Sequence, residues 1–456
     1  MRGRTLQLVA SLGLLTLVAA WQVWDYWEAR RLHAAILQIQ ARGEPVNAFE
    51  AMRQDAPKGA EGSGRFYAAA DALLLIPDGT TQRLELLRRN LEASGRASAE
   101  ERNHLGEFLR LNGPALELIA RARELPFQGL PRDPGYDPRS SPRGPHVVVP
   151  RLASVLSAQA LQLTLHGDGD GAARAVSAIL RLLAGLSVEQ SMFALGLHQR
   201  VLSRAVQDLV LILERTRPRD SPLAELQAAL RSTDRAGDLV LHFLGERARY
   251  IEVTAQVFGQ HAGLWPIQGP PAGRGLQHVL MRPWLRSLAR DDIDVLSAAV
   301  AASRQPLPEA LTRFDGLQPE SSASTAGARW PAWRSLAAPE LQPLYAQAHA
   351  YSLARARGAA VAVAIERYRR DHEKLPDSLE ALMPSYLDTV AEDPFTGAPL
   401  RYVQDATGYA VYSVGPNRSD DGGLFTPPPA HRGIAIEWPE ESADWGIRVR
   451  MSGSPG

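Results

Sequence analysis

DPFTGAPLRYVQDATGYAVYSVGPNRSDDGG occupies residues 393–423. Leu400 and Tyr402, and then Tyr409, Val411 and Ser413, alternate with residues expected to face outward. Alternation with a period of two is the pattern of half-buried strands. Ala406–Gly408 lies between the two runs, so the stretch predicts an antiparallel pair around a tight turn. Asp393–Gly397 reads as a turn leading in, and an Asn/Ser/Asp/Asp/Gly/Gly cluster leads out. Upstream, helical spacing runs from about Leu341 to His372, with Leu344, Ala348, Val361, Ile365 and Tyr368 on its apolar side. Pro376 breaks that helix. Asp377 is expected to cap a short helix, with Glu380 reaching back and Leu379, Leu382 and Leu387 to bury. Ile434–Ile436 and Ile447–Met451 are further strand candidates.

The N-terminal stretch predicts a location. Arg2 and Arg4 precede an apolar run from Leu6 to about Val23, and Trp21, Trp24, Tyr26 and Trp27 cluster at its far end. A bilayer span needs roughly 20 apolar residues. Positive charge before the run and aromatic rings after it predict a single-pass inner-membrane anchor with the bulk of the chain extracytoplasmic. A cleaved signal peptide, cut after Val18-Ala19-Ala20, is the competing reading. The helical pattern favours the anchor, because it runs on through Ala34, Ala35, Ile36 and Ile39 to Gly43.

The 456 residues suggest more than one core. The expected class is α+β, mainly α: an N-terminal membrane helix, an α-helical-hairpin middle and a small C-terminal α+β module. The expected boundaries are 1–30 for the cytoplasmic tip and anchor, 31–125 for a helical region and 126–147 for a Pro/Gly-rich loop. A helical-hairpin domain follows at 148–304, a linker at 305–340 and the tail module at 341–452. Thr80 or Thr81 would cap one helix, and Ser98 with Glu101 forms a capping box for the next. Leu152, Leu156, Ala160 and Leu163 form one apolar stripe, and Ala175, Ile179, Leu182 and Leu186 form the returning one. HGDGDGA turns the chain between them, as in tetratricopeptide-style hairpins, although no 34-residue period is found. Further helices are expected at 222–231, 235–258 and 289–303, with Asp291, Asp292 and Asp294 favouring the positive end of the last.

Several motifs of the tail occur in a familiar order: AIERYRRDHEKLPDSLEALMP (364–384), DPFTGAPLRY (393–402) and YAVYSVGPNRSDDGG (409–423). This order resembles the C-terminal half of the major pseudopilin of type II secretion systems. The resemblance covers about a fifth of the chain. It implies a long helix packed on an antiparallel sheet and a final loop that holds calcium. Leu8 stands where that family carries an N-terminal Glu, and some three hundred residues separate the first helix from the tail. The resemblance therefore carries the fold of the tail rather than a polymer.

Asn417, Ser419 and Asp421 stand at alternate positions before Gly422, beside Asp420. That spacing is the first half of an oxygen-ligand calcium loop. An acid at position 428 would complete it, but the residue there is Pro428. Spacing alone leaves two readings open, a calcium loop or a solvated Asp/Gly turn. Net formal charge is zero, which predicts no nucleic-acid partner. Cysteine is absent, which excludes disulfides and thiolate chemistry. The His residues lack H-E-x-x-H spacing, and neither G-x-S-x-G nor a phosphate-binding loop occurs. No residue is assigned a catalytic role. The sequence thus predicts a non-catalytic, membrane-anchored binding or scaffold protein with protein or peptide partners in the envelope. A secretion- or pilus-type component and an envelope hydrolase are the alternatives.

Overall fold

The computed structural model describes residues 2–51, 62–127, 129–130, 144–183, 186, 191–235, 237–258, 276–316, 342–423 and 444–451. Most of the expected Pro/Gly loop, most of the expected linker and the candidate strand at 434–436 lie outside these residues. Among the described residues the chain is mainly helical, with a small three-stranded antiparallel sheet. In chain order the helices are α1 (Arg2–Ala41), α2 (Ala48–Ala51), α3 (Ser63–Leu73), α4 (Thr80–Ser94), α5 (Ala99–Leu111), α6 (Gly113–Arg123) and α7 (Pro145–Leu165). Then come α8 (Gly169–Leu183), α9 (Met192–Arg215), α10 (Asp220–Ser232), α11 (Asp238–Val257), α12 (Leu276–Ser303), α13 (Leu307–Asp315) and α14 (Gln342–His372). The strands are β1 (Arg401–Asp405), β2 (Gly408–Ser413) and β3 (Trp445–Arg450).

Contacts divide the chain into two compact units. The first holds Met1–Met52, Val240–Gln305 and Arg313–Pro343; the second holds Arg53–Leu239, Pro306–Thr312 and Leu344–Gly456. This grouping differs from the linear boundaries drawn on the sequence. The tail shares its unit with the helical hairpins, because both bury the same apolar surface.

In the first unit, α1 packs along α12. The two helices run parallel: Asp25 meets Arg282 and Arg286, and Glu44, just past α1, meets Arg304 at the far end of α12. Leu32 and Ile39 of α1 are buried with Tyr250, Ile251, Leu285, Ala289 and Ile293. Gly43 takes a left-handed conformation (φ 70°) just past α1, where the spacing placed the stop. The early part of α1 has no such cover: Val9, Leu12, Leu14, Leu15 and Leu17 are all exposed. The start expected for α12 is corrected. Asp291, Asp292 and Asp294 lie in its interior, because the helix continues through Pro283. Asp292 instead accepts a hydrogen bond from Tyr250 Oη at 2.6 Å.

In the second unit, α7 and α8 form the expected hairpin, with α9 packed on both. Helix α7 is long and apolar enough to cross a membrane, whereas the side chains of Leu6 and Leu8, at the start of the run expected to span in α1, lie outside the described residues. However, 61% of the apolar window of α7 is buried inside the protein, so α7 serves as a core helix here. The Asp168/Asp170 pair in HGDGDGA works as a turn: Asp168 accepts from the Gly171 N–H, and Asp170 binds Arg219. Ser98 and Glu101 make the full capping box at the start of α5. Two expected caps are corrected. Gly79 rather than a threonine side chain precedes α4, and Thr80 Oγ1 donates to the Pro77 carbonyl instead. The short element after Pro376 is a 3-10 turn at Leu379–Leu382, with Ser378 rather than Asp377 in the position before it.

In the sheet, β2 lies between β1 and β3, with Tyr402 opposite Val411 and Val411 opposite Ile447. Gly408 is obligatory at the β1–β2 turn: its φ is 151°, and a Cβ there would lie 2.0 Å from the Val449 carbonyl oxygen. From Ala359 to Ile365 every residue of α14 is buried. A helix buried all round has partners on more than one side. One partner is the sheet, where Tyr409 Oη bonds the Ala362 carbonyl and Glu366. Another is α10, where Arg367 binds Asp220 and Gln227.

Candidate functional site: an acidic loop and an interhelical groove

The loop after β2 is held from below by Asp393. This buried carboxylate accepts from the Phe395 N–H (2.8 Å), Ser413 Oγ (2.9 Å) and the Val414 N–H (2.8 Å). It thereby ties the DPFTG turn to the end of β2. Above it, the Asn417 side chain accepts from the Ser419 N–H at Oδ1 and donates from Nδ2 to Asp421 at 3.0 Å. Asp420 accepts from Tyr412 Oη at 2.9 Å and from the Gly422 N–H at 3.0 Å, with Arg401 3.6 Å away. Gly415, Gly422 and Gly423 all have positive φ, which lets the loop curl this tightly.

Asp444, just before β3, is the loop's inner partner. Its carboxylate accepts from the Gly423 N–H at 2.7 Å and from the Asp421 N–H at 3.3 Å. Burial pushes the Asp444 carboxyl up, and the negative charges of Asp420 and Asp421 add to that, against the two backbone N–H groups. Burial and the bond to Asp420 likewise raise the Tyr412 phenol. Three carboxylates therefore gather at one edge of the sheet. Sequence reasoning found two of them and missed Asp444, which follows a 21-residue step from Gly423 and has no motif of its own. The oxygens are of the kind a hard cation takes. In this conformation Asp421 accepts from Asn417 and Asp420 from Tyr412 and Gly422, and among the described residues no three His, Asp or Glu side chains are grouped as a metal ion needs.

A second feature lies between α4 and α5. Gly95 ends α4 in a left-handed conformation and Ser98 starts α5, so the two helices form a hairpin. The hairpin is open along one side, leaving a groove of about 470 Å³. Leu84, Leu87, Leu105 and Phe108 line its floor, and Arg83 and His104 are among its polar walls. Leu86 reaches it while 52% exposed. Asn90 donates to Glu101 at 2.6 Å across the closed end, and the N–H of Ser98 holds the Glu101 carboxyl below its usual range.

Away from the groove, α4 is tied to α7 and α9 by a buried ion pair. Arg88 of α4 is only 2% exposed. Its guanidinium bonds Asp208 of α9 (2.9 Å), Ser157 of α7 (2.9 Å) and Glu85 (2.8 Å), and Ser157 in turn donates to Asp208 at 2.5 Å. Burial raises the Asp208 carboxyl, while Arg88 and Ser157 oppose that. Sequence reasoning did not find this network, since its members lie on three helices far apart in the chain.

The chain matches no family model, no curated protein and no solved structure.

Proposed function

We propose that the protein is a membrane-anchored, extracytoplasmic binding or scaffold protein whose α4–α5 groove receives a helical or extended peptide segment of an envelope protein. The observation that carries this reading is the groove itself, which has an apolar floor, a hydrogen-bonding rim and an exposed leucine at its lip. Peptide recognition by helical surfaces uses that combination, with apolar anchors in the floor and polar groups fixing register. The volume of about 470 Å³ suits a few side chains rather than a whole domain.

The anchor is α1. Support for it comes from the apolar run that the helix leaves exposed and from the aromatic cluster at the end of that run. The acidic loop is proposed as a calcium-responsive element of the pseudopilin-like tail. Asp420, Asp421 and Asp444 would supply carboxylates, with Asn417 and Ser419 as further oxygen donors. Calcium would offset the burial that raises the Asp444 carboxyl and the smaller repulsion from Asp420 and Asp421.

A photoreactive amino acid at position 86 tests the groove in intact cells. The expected result is a discrete cross-linked protein band from position 86 that is absent from Arg89, which is exposed on the same helix but does not line the groove. Equal labelling from both positions, or none from either, would refute the groove reading.

A further inference from the structure

The exposed apolar surface of the first unit is not confined to α1. At the leading end of α12, Val279, Leu280, Met281 and Trp284 are all exposed, Leu280 to 55%. Val279, Leu280 and Met281, three consecutive large apolar side chains left uncovered, are the kind of surface that meets a partner.

Three contacts fix where this patch lies. Trp21 Nε1 donates to the Leu280 carbonyl at 2.9 Å. The Arg282 guanidinium lies over the Trp21 ring, 5.1 Å from its centre, and also binds Asp25 at 2.6 Å. Arg286 binds Asp25 at 2.7 Å. Because α1 and α12 run parallel, Leu280, in the second turn of α12, lies level with Trp21, near the end of the apolar run of α1. Leu17 and Val18, one turn before Trp21, are exposed at 70% and 46%. The patch on α12 is thus continuous with the apolar surface of α1, and what solvates Leu17 reaches Leu280.

We infer that the first two turns of α12 lie in the headgroup layer of the bilayer, beside the point where α1 leaves it. This rests on the anchor reading of α1. The occupant is a lipid surface, for three reasons. The patch adjoins the exposed run of α1; the aromatic side chains Trp21, Trp24, Tyr26, Trp27 and Trp284 share its level; and the charges there are closed off by the Arg282–Asp25–Arg286 cluster. Amphipathic rings and arginines beside apolar side chains are the composition of a bilayer interface. A second contact of this kind stops the first unit from swivelling freely about its anchor.

The absence of cysteine makes a direct test simple. Val18→Cys, Met281→Cys and Asp291→Cys chains, each full length, are labelled with an environment-sensitive fluorophore. They are then reconstituted in phosphatidylethanolamine/phosphatidylglycerol vesicles that carry a spin label either near the headgroup or near the acyl-chain end. Asp291 is exposed on the same helix, about 15 Å further along its axis. The expected result is blue-shifted emission at 281, quenched most by the shallow label, strong quenching at 18 by the deep label, and water-like emission at 291. If position 281 behaves like 291 while 18 is quenched, the inference fails and the anchor stands. Position 281 quenched most by the deep label would also overturn it, since α12 would then enter the core. If position 18 is unquenched, the anchor reading falls and takes this inference with it.

Discussion

Replacing Arg88 by methionine isolates the contribution of one buried charge. Arg88, Asp208 and Ser157 form a closed set in which Asp208 is almost wholly buried and has Arg88 as its ionic partner. Methionine keeps much of the side-chain volume and removes the charge. Asp208 must then either remain ionised without a counter-ion or take up a proton. Breaking a buried pair from one side typically costs about 3–5 kcal/mol. For a unit of this size that lowers Tm by on the order of 10 °C. The pH dependence follows from the direction of the shift. Burial raises Asp208 above its unfolded value, and without Arg88 it rises further. A raised carboxyl penalises the folded state above the folded pKa and costs nothing below the unfolded one. The deficit of Arg88→Met should therefore be largest near neutral pH and shrink as pH falls through the raised folded pKa toward the unfolded carboxyl value. Asp208→Asn added to Arg88→Met removes the orphan charge while leaving an oxygen for Ser157. The double variant should recover most of the loss, because a buried ion pair replaced at both ends is often near neutral. Urea melts of the detergent-solubilised full chain at several pH values measure all of this. A single variant that costs under about 1 kcal/mol, or a double variant no better than the single, would refute the argument.

Two further predictions concern other charged groups. Glu44 is buried, which pushes its carboxyl up, but hydrogen bonds from Arg247, Arg304 and Arg42 bring it below its usual range. A depressed carboxyl stabilises the fold above its unfolded pKa and loses that contribution as pH falls through the folded one, so Glu44→Gln should cost roughly 1–3 kcal/mol at pH 7 and progressively less below pH 4.5 in a pH series of melts. For the acidic loop, calcium at a hundredfold excess over its dissociation constant should stabilise the folded chain by about 2.7 kcal/mol in a thermal melt. The Asp420→Asn/Asp421→Asn chain should show no such gain, and a wild-type melt indifferent to calcium would remove the site.

Local patterns were legible wherever a short-range rule governs. The runs at Leu400–Ser413 predict β1 and β2, although Ala410 and Tyr412, expected to face outward, are buried with the rest of β2, and Ser98 with Glu101 predicts the start of α5, because hydrogen bonds between near neighbours decide both. Gly43 ends α1 for the same reason, since a left-handed residue needs no distant partner. Where long-range packing competes with a local signal, the local signal loses. Pro283 does not stop α12, because burial of Leu285, Ala289 and Ile293 against α1 and α11 carries the helix past it. The alanines of α14 read as one weak apolar side, yet they are buried all round, because sheet and helices approach closely only across small side chains.

The sequence by itself determined the helical class, the hairpin style of the middle, the strand pair and the exposed apolar run at the start. Each of these depends on residues within a few turns of one another. Only the tertiary structure decided that Asp444 joins Asp420 and Asp421, that Arg88 finds Asp208 and Ser157, and that Leu280 of α12 lies level with Trp21. Those pairings join residues tens to hundreds of positions apart, and which charge finds which partner is set by how whole helices dock, which no local spacing encodes.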